Sequence, residues 1–213
     1  LLFTLVGVTA FFFGFTQSLL TKKVIKYSLK DGLSFGIING ITQDNKGFMW
    51  FATGDGLNRF DGTNFKVFKF EPDNPYSLPS NYVQTIYKDV QGDIWISSRR
   101  GIYRFDTNSE RFTKFSPPGV QSAYLNNVNS ISENSKDQLW FSCGGSGFSS
   151  YNIKSKQFKS YTKKELPDLL GDLSVVNVIE DTFGLLWVCT RDGGLNVFST
   201  KDGAVFKNLN NQI

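Results

Sequence analysis

Ile86-Tyr-Lys-Asp89-Val-Gln-Gly92-Asp-Ile-Trp95-Ile-Ser-Ser98, followed by Gly101-Ile-Tyr-Arg-Phe105-Asp106, is a phrase that this 213-residue chain repeats four times. The other copies run Ile41 to Trp50 then Gly56 to Asp61, Ile131 to Trp140 then Gly147 to Asn152, and Ile179 to Trp187 then Gly194 to Ser199. Their tryptophans, Trp50, Trp95, Trp140 and Trp187, lie 45, 45 and 47 residues apart. Within one copy, Val83-Gln-Thr-Ile86-Tyr is short, β-branched and alternating, which reads as a strand. Asp89-Val-Gln-Gly92 reads as a turn. Asp bonds its own backbone two residues on, and Gly supplies the positive φ that closes a hairpin. Ile94 to Ser97 is a second strand, Gly101 to Phe105 a third, and Arg111 to Phe115 a fourth after the turn at Asp106. Four short antiparallel strands recurring every roughly 40 to 50 residues are the signature of a β-propeller blade.

The expected fold is therefore all-β: a β-propeller of four consecutive four-stranded blades, at about 36–70, 81–115, 126–161 and 174–209. One such sheet cannot bury both of its apolar faces, so neighbouring blades must stack. The 21 Phe, 8 Tyr and 4 Trp suit the widening gap between radiating sheets, and each repeated tryptophan reads as blade packing. Asp44, Asp89 and Asp181, with Gly47, Gly92 and Gly184, read as turn-formers. The third copy has Asp137 in the glycine position, which predicts the same hairpin under slight strain. The third-strand glycine follows Trp by six residues in two copies and by seven in the others, an insertion expected in a loop.

Residues 1–21 are uncharged and mostly apolar before Lys22 and Lys23, as in a secretory signal peptide or an N-terminal membrane segment. Either one exports the repeats from the cytoplasm. Lys23 to Leu29 resembles a fourth strand without its first three, by comparison with Phe65 to Phe68 and Phe112 to Phe115. The count of strands then points to a piece of a larger ring, because four blades is the minimum for closure. An open arc leaves apolar sheet faces uncovered, which favours aggregation. Residues 22–213 produced alone are expected to yield little soluble protein; a monomer that melts cooperatively would contradict this.

Composition narrows the chemistry. The net charge of +4 comes from lysines scattered over strand ends and turns, so no nucleic-acid stripe is expected. The chain has no histidine, which removes Ser-His and Cys-His nucleophilic catalysis, histidine metal ligation and a phospho-accepting histidine. No catalytic constellation, metal site or cofactor is expected, and Gly144-Gly145-Ser-Gly147 has no helix behind it to make a phosphate loop. Cys143 and Cys189 lie on equivalent strands of adjacent blades. Sheets stand about 10 Å apart, too far for a disulfide, so both read as small buried residues.

The pattern Ile-x-x-Asp-x-x-Gly-x-x-Trp followed by Gly-Leu-x-x-Phe-Asp, nearly complete from Ile41 to Asp61 and close from Ile86 to Asp106, resembles the two-component regulator propeller repeat. The resemblance extends over about residues 24 to 213. It implies the periplasmic sensor region of a hybrid two-component system of the Bacteroidetes type, with seven-bladed rings and a parent anchored in the inner membrane. It also implies remaining blades and a histidine kinase elsewhere in that parent, a homodimeric full-length protein, and carbohydrate, often an oligosaccharide, as the sensed ligand. This chain itself would not be an enzyme.

Ligand contacts are expected on the segment between the second and third strands, which varies most among copies. It supplies Asp55, Arg99, Arg100, Arg191 and Asp192. The arginines suit a carboxylate or uronic acid, and the aspartates suit sugar hydroxyls. The connections between blades should lie at the same end, where Tyr76, Tyr82 and Tyr124 either stack on a sugar ring or fill the rim. Two alternatives remain at this level: an exported binding or adhesion propeller without signalling, and a carbohydrate-active enzyme on a propeller scaffold.

Overall fold

The computed structural model describes residues 24–117, 125–134, 137–162, 173–199 and 205–208. Its strands form four separate four-stranded antiparallel sheets, each meandering in chain order. The first is β1 (Ile38–Gln43), β2 (Met49–Thr53), β3 (Gly56–Phe60) and β4 (Phe65–Phe68). The second is β5 (Val83–Lys88), β6 (Ile94–Ser98), β7 (Gly101–Asp106) and β8 (Arg111–Lys114). The third is β9 (Val128–Glu133), β10 (Gln138–Cys143), β11 (Gly147–Asn152) and β12 (Phe158–Tyr161). The fourth is β13 (Val175–Glu180), β14 (Leu185–Thr190), β15 (Leu195–Ser199) and β16 (Val205–Asn208). These are propeller blades, with β1, β5, β9 and β13 side by side on the inside.

The core lies between blades. Trp50 is fully buried against Ile86, Ile96 and Phe105 of the second blade. Trp95 packs on Val128, Leu139 and Phe141 of the third, and Trp140 on Val178, Val188 and Phe198 of the fourth. Each tryptophan thus faces the blade that comes after it. Truncating a buried aromatic of this size costs about 3–5 kcal/mol.

Burying an indole obliges its N–H to find an acceptor. The turn aspartate supplies it. Trp50 Nε1 donates to Asp44 Oδ2 at 2.8 Å, Trp95 Nε1 to Asp89 Oδ2 at 2.8 Å, and Trp187 Nε1 to Asp181 Oδ2 at 2.9 Å. The other carboxylate oxygen closes the hairpin by accepting backbone N–H groups, Phe48 and Lys46 at Asp44 and Asp93 at Asp89. One side chain therefore serves both the turn and the core. In the third blade the aspartate is Asn134, and Trp140 Nε1 turns instead to Glu180 Oε2 of the next blade, at 2.9 Å. Asn134 Nδ2 donates to the same oxygen.

A second tie runs along the inner strands. Each carries a register irregularity one residue after its start, at Asn39, Gln84, Asn129 and Val176. A bulge re-aims its side chain. Asn39 Nδ2 reaches Val83 O of the next blade at 2.8 Å, Asn129 Nδ2 reaches Val175 O at 2.8 Å, and Gln84 Nε2 meets Asn129 Oδ1.

Several expectations are borne out and three are corrected. Asp137 takes a φ of 58° where the other copies have glycine, so the hairpin is kept with the expected strain. The extra residue of the third copy lies in the turn between β10 and β11, where Cys143 pairs with Gly147. The fourth repeat, however, is phased on Val178 and not on Ile179. Val178 pairs with Val188 as Ile86 pairs with Ile96, and it is 1% exposed against 51% for Ile179. Two adjacent β-branched residues leave the phase ambiguous until Asp181 sets the turn. Residues 24–28 form no strand; Tyr27 meets Phe60 and Phe65 by ring contacts and not through a backbone ladder. A single 3-10 turn, Leu29–Asp31, comes after them with a Ser28 capping box. Trp187 and Cys189 are exposed, because they share the face of β14 turned away from the third blade. Cys143 is buried as expected, which pushes its thiol pKa up to about 12.

The double role of the turn aspartate makes a graded prediction. Asp89→Ala leaves a buried indole N–H and a backbone N–H without acceptors and should cost about 2–4 kcal/mol in denaturant unfolding. Asp181→Ala, beside a partly exposed tryptophan, should cost less than half as much.

Candidate functional site

Four meandering strands put the β2–β3-type turns and the connections between blades at one end, and the aspartate turns at the other. The first end is laced together by backbone hydrogen bonds. Gly56 N donates to Asn81 O at 2.6 Å, Gly144 N to Asn127 O at 3.0 Å, Gly147 N to Leu173 O at 2.9 Å, and Arg191 N to Ser174 O at 2.9 Å. Glycine is required at two of these points. Gly56 and Gly147 have φ of 125° and 83°, and a Cβ would meet Phe68 O at 2.9 Å and Tyr161 O at 2.1 Å. Leu78 and Leu125 are buried and anchor the connections beneath.

The expected contact residues distribute unevenly over this end. Arg99 lies over the ring of Tyr82 at 5.3 Å, and Arg100 over Phe70 at 4.9 Å. Both rings come from the connection between the first and second blades and are more than a third exposed. Stacking on an aromatic face holds a guanidinium in place while its planar donors stay available. Asp55 is already engaged, its Oδ2 2.6 Å from Lys69 Nζ. Lys69 precedes Phe70, so the pair flanks the same patch. Tyr76 is displaced outward and lies under Arg111 at 4.6 Å, beside the outermost strand of the second blade. Arg191 and Asp192 sit on the fourth blade, separated from Arg99 and Arg100 by the whole third blade. Tyr124 lies outside the described residues. The patch the structure assembles is thus Phe70, Tyr82, Arg99 and Arg100, and Phe70 is its unforeseen member. The signal was an aromatic residue two steps past the end of β4, between Lys69 and Glu71.

The opposite end joins blades through the last residue of each inner strand. Lys88 Nζ reaches Asn45 Oδ1 of the first blade at 3.0 Å, Glu133 Oε2 accepts from Val90 N of the second at 2.8 Å, and Glu180 Oε2 accepts from Trp140 Nε1 of the third. Glu133 stands apart from the other two. Its Oε1 is buried without a hydrogen-bond partner among the described residues. Burial, reinforced by Asp89 and Asp137, raises its pKa above the ordinary 4.5, although the Val90 N–H opposes this. Tyr87 beside it is pushed up to about 12, mainly by burial and then by the Glu133 and Asp89 charges. Among the described residues no group of three or more His, Cys, Asp or Glu side chains is placed to hold a metal ion. No described helix is long and apolar enough to cross a membrane.

Comparison with known proteins identifies the repeat. Residues 32–55 and 77–100 match the model of the family described as two component regulator propeller. The extracellular domain of a hybrid two component system from B. thetaiotaomicron has 31% identity and a TM-score of 0.76, covering 85% of this chain and 26% of that one. A second such domain from the same organism has 24% identity and a TM-score of 0.68, over 80% of this chain and 24% of that one, a likeness of fold. Over 48 residues, 22% of this chain and 4% of the relative, it is 44% identical to histidine kinase P4 of Formosa agariphila. The chain therefore spans about a quarter of the solved domains and a small fraction of the kinase. Virginiamycin B lyase from Staphylococcus aureus shares the fold at 17% identity and a TM-score of 0.61, over 88% of this chain and 60% of that one.

A raised acid pKa fixes the sign of a pH effect. The folded state holds the Glu133 proton more tightly than the unfolded chain does, so its penalty is absent below pH 4.5. The penalty grows as pH rises toward the raised value and is complete above it. Glu133→Gln, which keeps an acceptor for Val90 N, should raise Tm by about 2 °C at pH 7 and bring no gain below pH 4.5. Thermal melts at the two pH values check this.

Proposed function

We propose, from a chain that carries two component regulator propeller repeats, that it is the extracytoplasmic sensing part of a two-component signalling protein. The observation that carries the reading is the family match together with the likeness to extracellular domains of hybrid two component systems. In this reading further blades and a histidine kinase belong to the parent protein, which anchors in the inner membrane and works as a homodimer. The apolar residues left exposed on the outward faces of the first and fourth blades, Ile41 and Trp187 among them, are suited to receive those blades.

The ligand is carbohydrate, received at the loop end. Arg99 and Arg100, preset on Tyr82 and Phe70, would grip an acidic oligosaccharide by charge-assisted hydrogen bonds. The exposed ring edges would lie along its sugar faces. Asp55, Tyr76, Arg191 and Asp192 are further from that patch or already paired, and would contribute to a longer chain. Binding signals only if the ligand favours one of two arrangements of the parent, for which the differential contact is the requirement. An enzymatic reading draws on the lyase fold, but a catalytically inactive form of that lyase has a histidine replaced by alanine, and this chain has no histidine.

The test uses the full-length protein in its own host. A transcriptional reporter of the two-component output is challenged with neutral and uronate-bearing oligosaccharides, and binding to the purified protein is measured in parallel. The expected result is a response to a glycan and at least a tenfold loss of its affinity in the Arg99→Ala/Arg100→Ala double variant. An unaltered response in that variant would remove the patch from the reading, and silence to every glycan would remove the carbohydrate.

A further inference from the structure

The repeat places the same groove between successive blades, and two copies of it differ in the charges that line them. Between the first and second blades, Arg59 of β3 and Lys66 of β4 project toward the second blade. There Glu110 meets both, Oε1 at 3.0 Å from Arg59 Nη1 and Oε2 at 2.5 Å from Lys66 Nζ. The neighbouring Lys66, then the Arg59 charge, hold the Glu110 carboxyl below its ordinary range. Arg59 also lies over Phe48 at 4.8 Å. This groove is closed by its own ion pairs.

One blade further on, strand register gives the equivalents. Arg104 pairs with Thr113 as Arg59 pairs with Lys66. Asn152 bonds Gln157 O as Asp106 pairs with Arg111, which puts Lys156 where Glu110 stood. The backbone agrees, with φ of 60° at Lys156 and 55° at Glu110. A cation has therefore replaced the anion that closes the first groove. Lys156 has no ion pair among the described residues. Arg104 pairs with Asp93 at 2.6 Å, yet its side chain stays 56% exposed and keeps further donors. The floor of the groove is Trp95, Phe115 and Tyr151, with Phe115 edge-on to Tyr151 at 4.7 Å, and its charged lining is Arg104, Lys114 and Lys156 against Asp93 and Asp106. The other blades have Phe60, Phe105 and Phe198 where this one has Tyr151, so the hydroxyl is particular to this groove. The Arg104 charge lies close enough to that phenol to oppose the rise that burial causes in its pKa.

We propose that the groove between the second and third blades binds a small organic carboxylate. Its anion takes the place that the Glu110 carboxylate fills in the first groove. Arg104 and Lys156 flank the anion, the Tyr151 hydroxyl and Gln91 offer hydrogen bonds, and the body of the molecule lies against Phe115. The cavity of about 390 Å³ is the size of a small-molecule site and not of a docking protein surface. It lies away from the stacked arginines of the loop end, so the inference does not depend on what binds there.

Titration calorimetry on the full-length protein carrying Arg99→Ala/Arg100→Ala, which takes the loop-end patch out of the measurement, tests this with glucuronate and benzoate against their neutral counterparts glucose and benzamide. The acids should bind at least about tenfold more tightly. Lys156→Glu rebuilds the closing pair of the first groove and should abolish that preference. Should that variant melt early, Lys156→Gln carries the same test. Tyr151→Phe installs the residue of the other blades and should weaken the acids about threefold to fivefold with the fold intact. Equal binding of acid and neutral partner, or a preference that survives the Lys156 variants, overturns the proposal.

Discussion

A tryptophan buried between two sheets carries a polar N–H into an apolar place, and the rest of this structure is arranged around pairing it. The acceptor is the carboxylate that also closes the hairpin between the first two strands of the blade. Because one side chain does both, the turn cannot vary without disturbing the joint to the next blade. The constraint is strong enough that its loss is compensated. Where the third repeat has Asn134, the fourth blade reaches back with Glu180 to receive the indole.

The same economy governs what the blades present to solvent. Strand register and packing consume both faces of the inner sheets, as the wholly buried β6 shows, so chemical variety collects in the turns at the loop end and in the grooves between outer strands. At the loop end the arginines are fixed by aromatic rings from a connection and not by their own blade. In the grooves, exchange of Glu110 for Lys156 at one repeat position replaces the anion that closes the first groove by a cation with no ion pair among the described residues. A rigid repeat makes such single exchanges legible, since every position has three others to be compared with.

Residues 24–28 show how packing and secondary structure separate. Tyr27 stands 4.8 Å from Phe60 and 5.9 Å from Phe65. Phe68 stands 5.3 Å from Phe105 and 6.2 Å from Phe112, their equivalents in the next blade. The segment occupies the position of an outer strand relative to the first blade, without the ladder that would make it one. Side-chain packing is local to an aromatic cluster, whereas a strand needs a neighbour along its whole length.

The amino-acid sequence by itself determined the blade: a period near 45 residues, alternation of apolar side chains, Gly or Asp137 at the positive-φ position, and a tryptophan that had to be buried. These are local demands of backbone and turn chemistry, repeated until no other fold satisfies them. Only the tertiary structure decided the phase of the fourth repeat at Val178, the exposure of Trp187 and Cys189, and the company kept by each surface charge. Arg99, Arg100, Arg191 and Asp192 look alike as turn residues, yet just the first two meet aromatic rings within one patch. Glu110 and Lys156 acquire their meaning from side chains about fifty residues upstream. Which groups meet across a gap between blades depends on register and bulges in two sheets at once, and no local pattern encodes that.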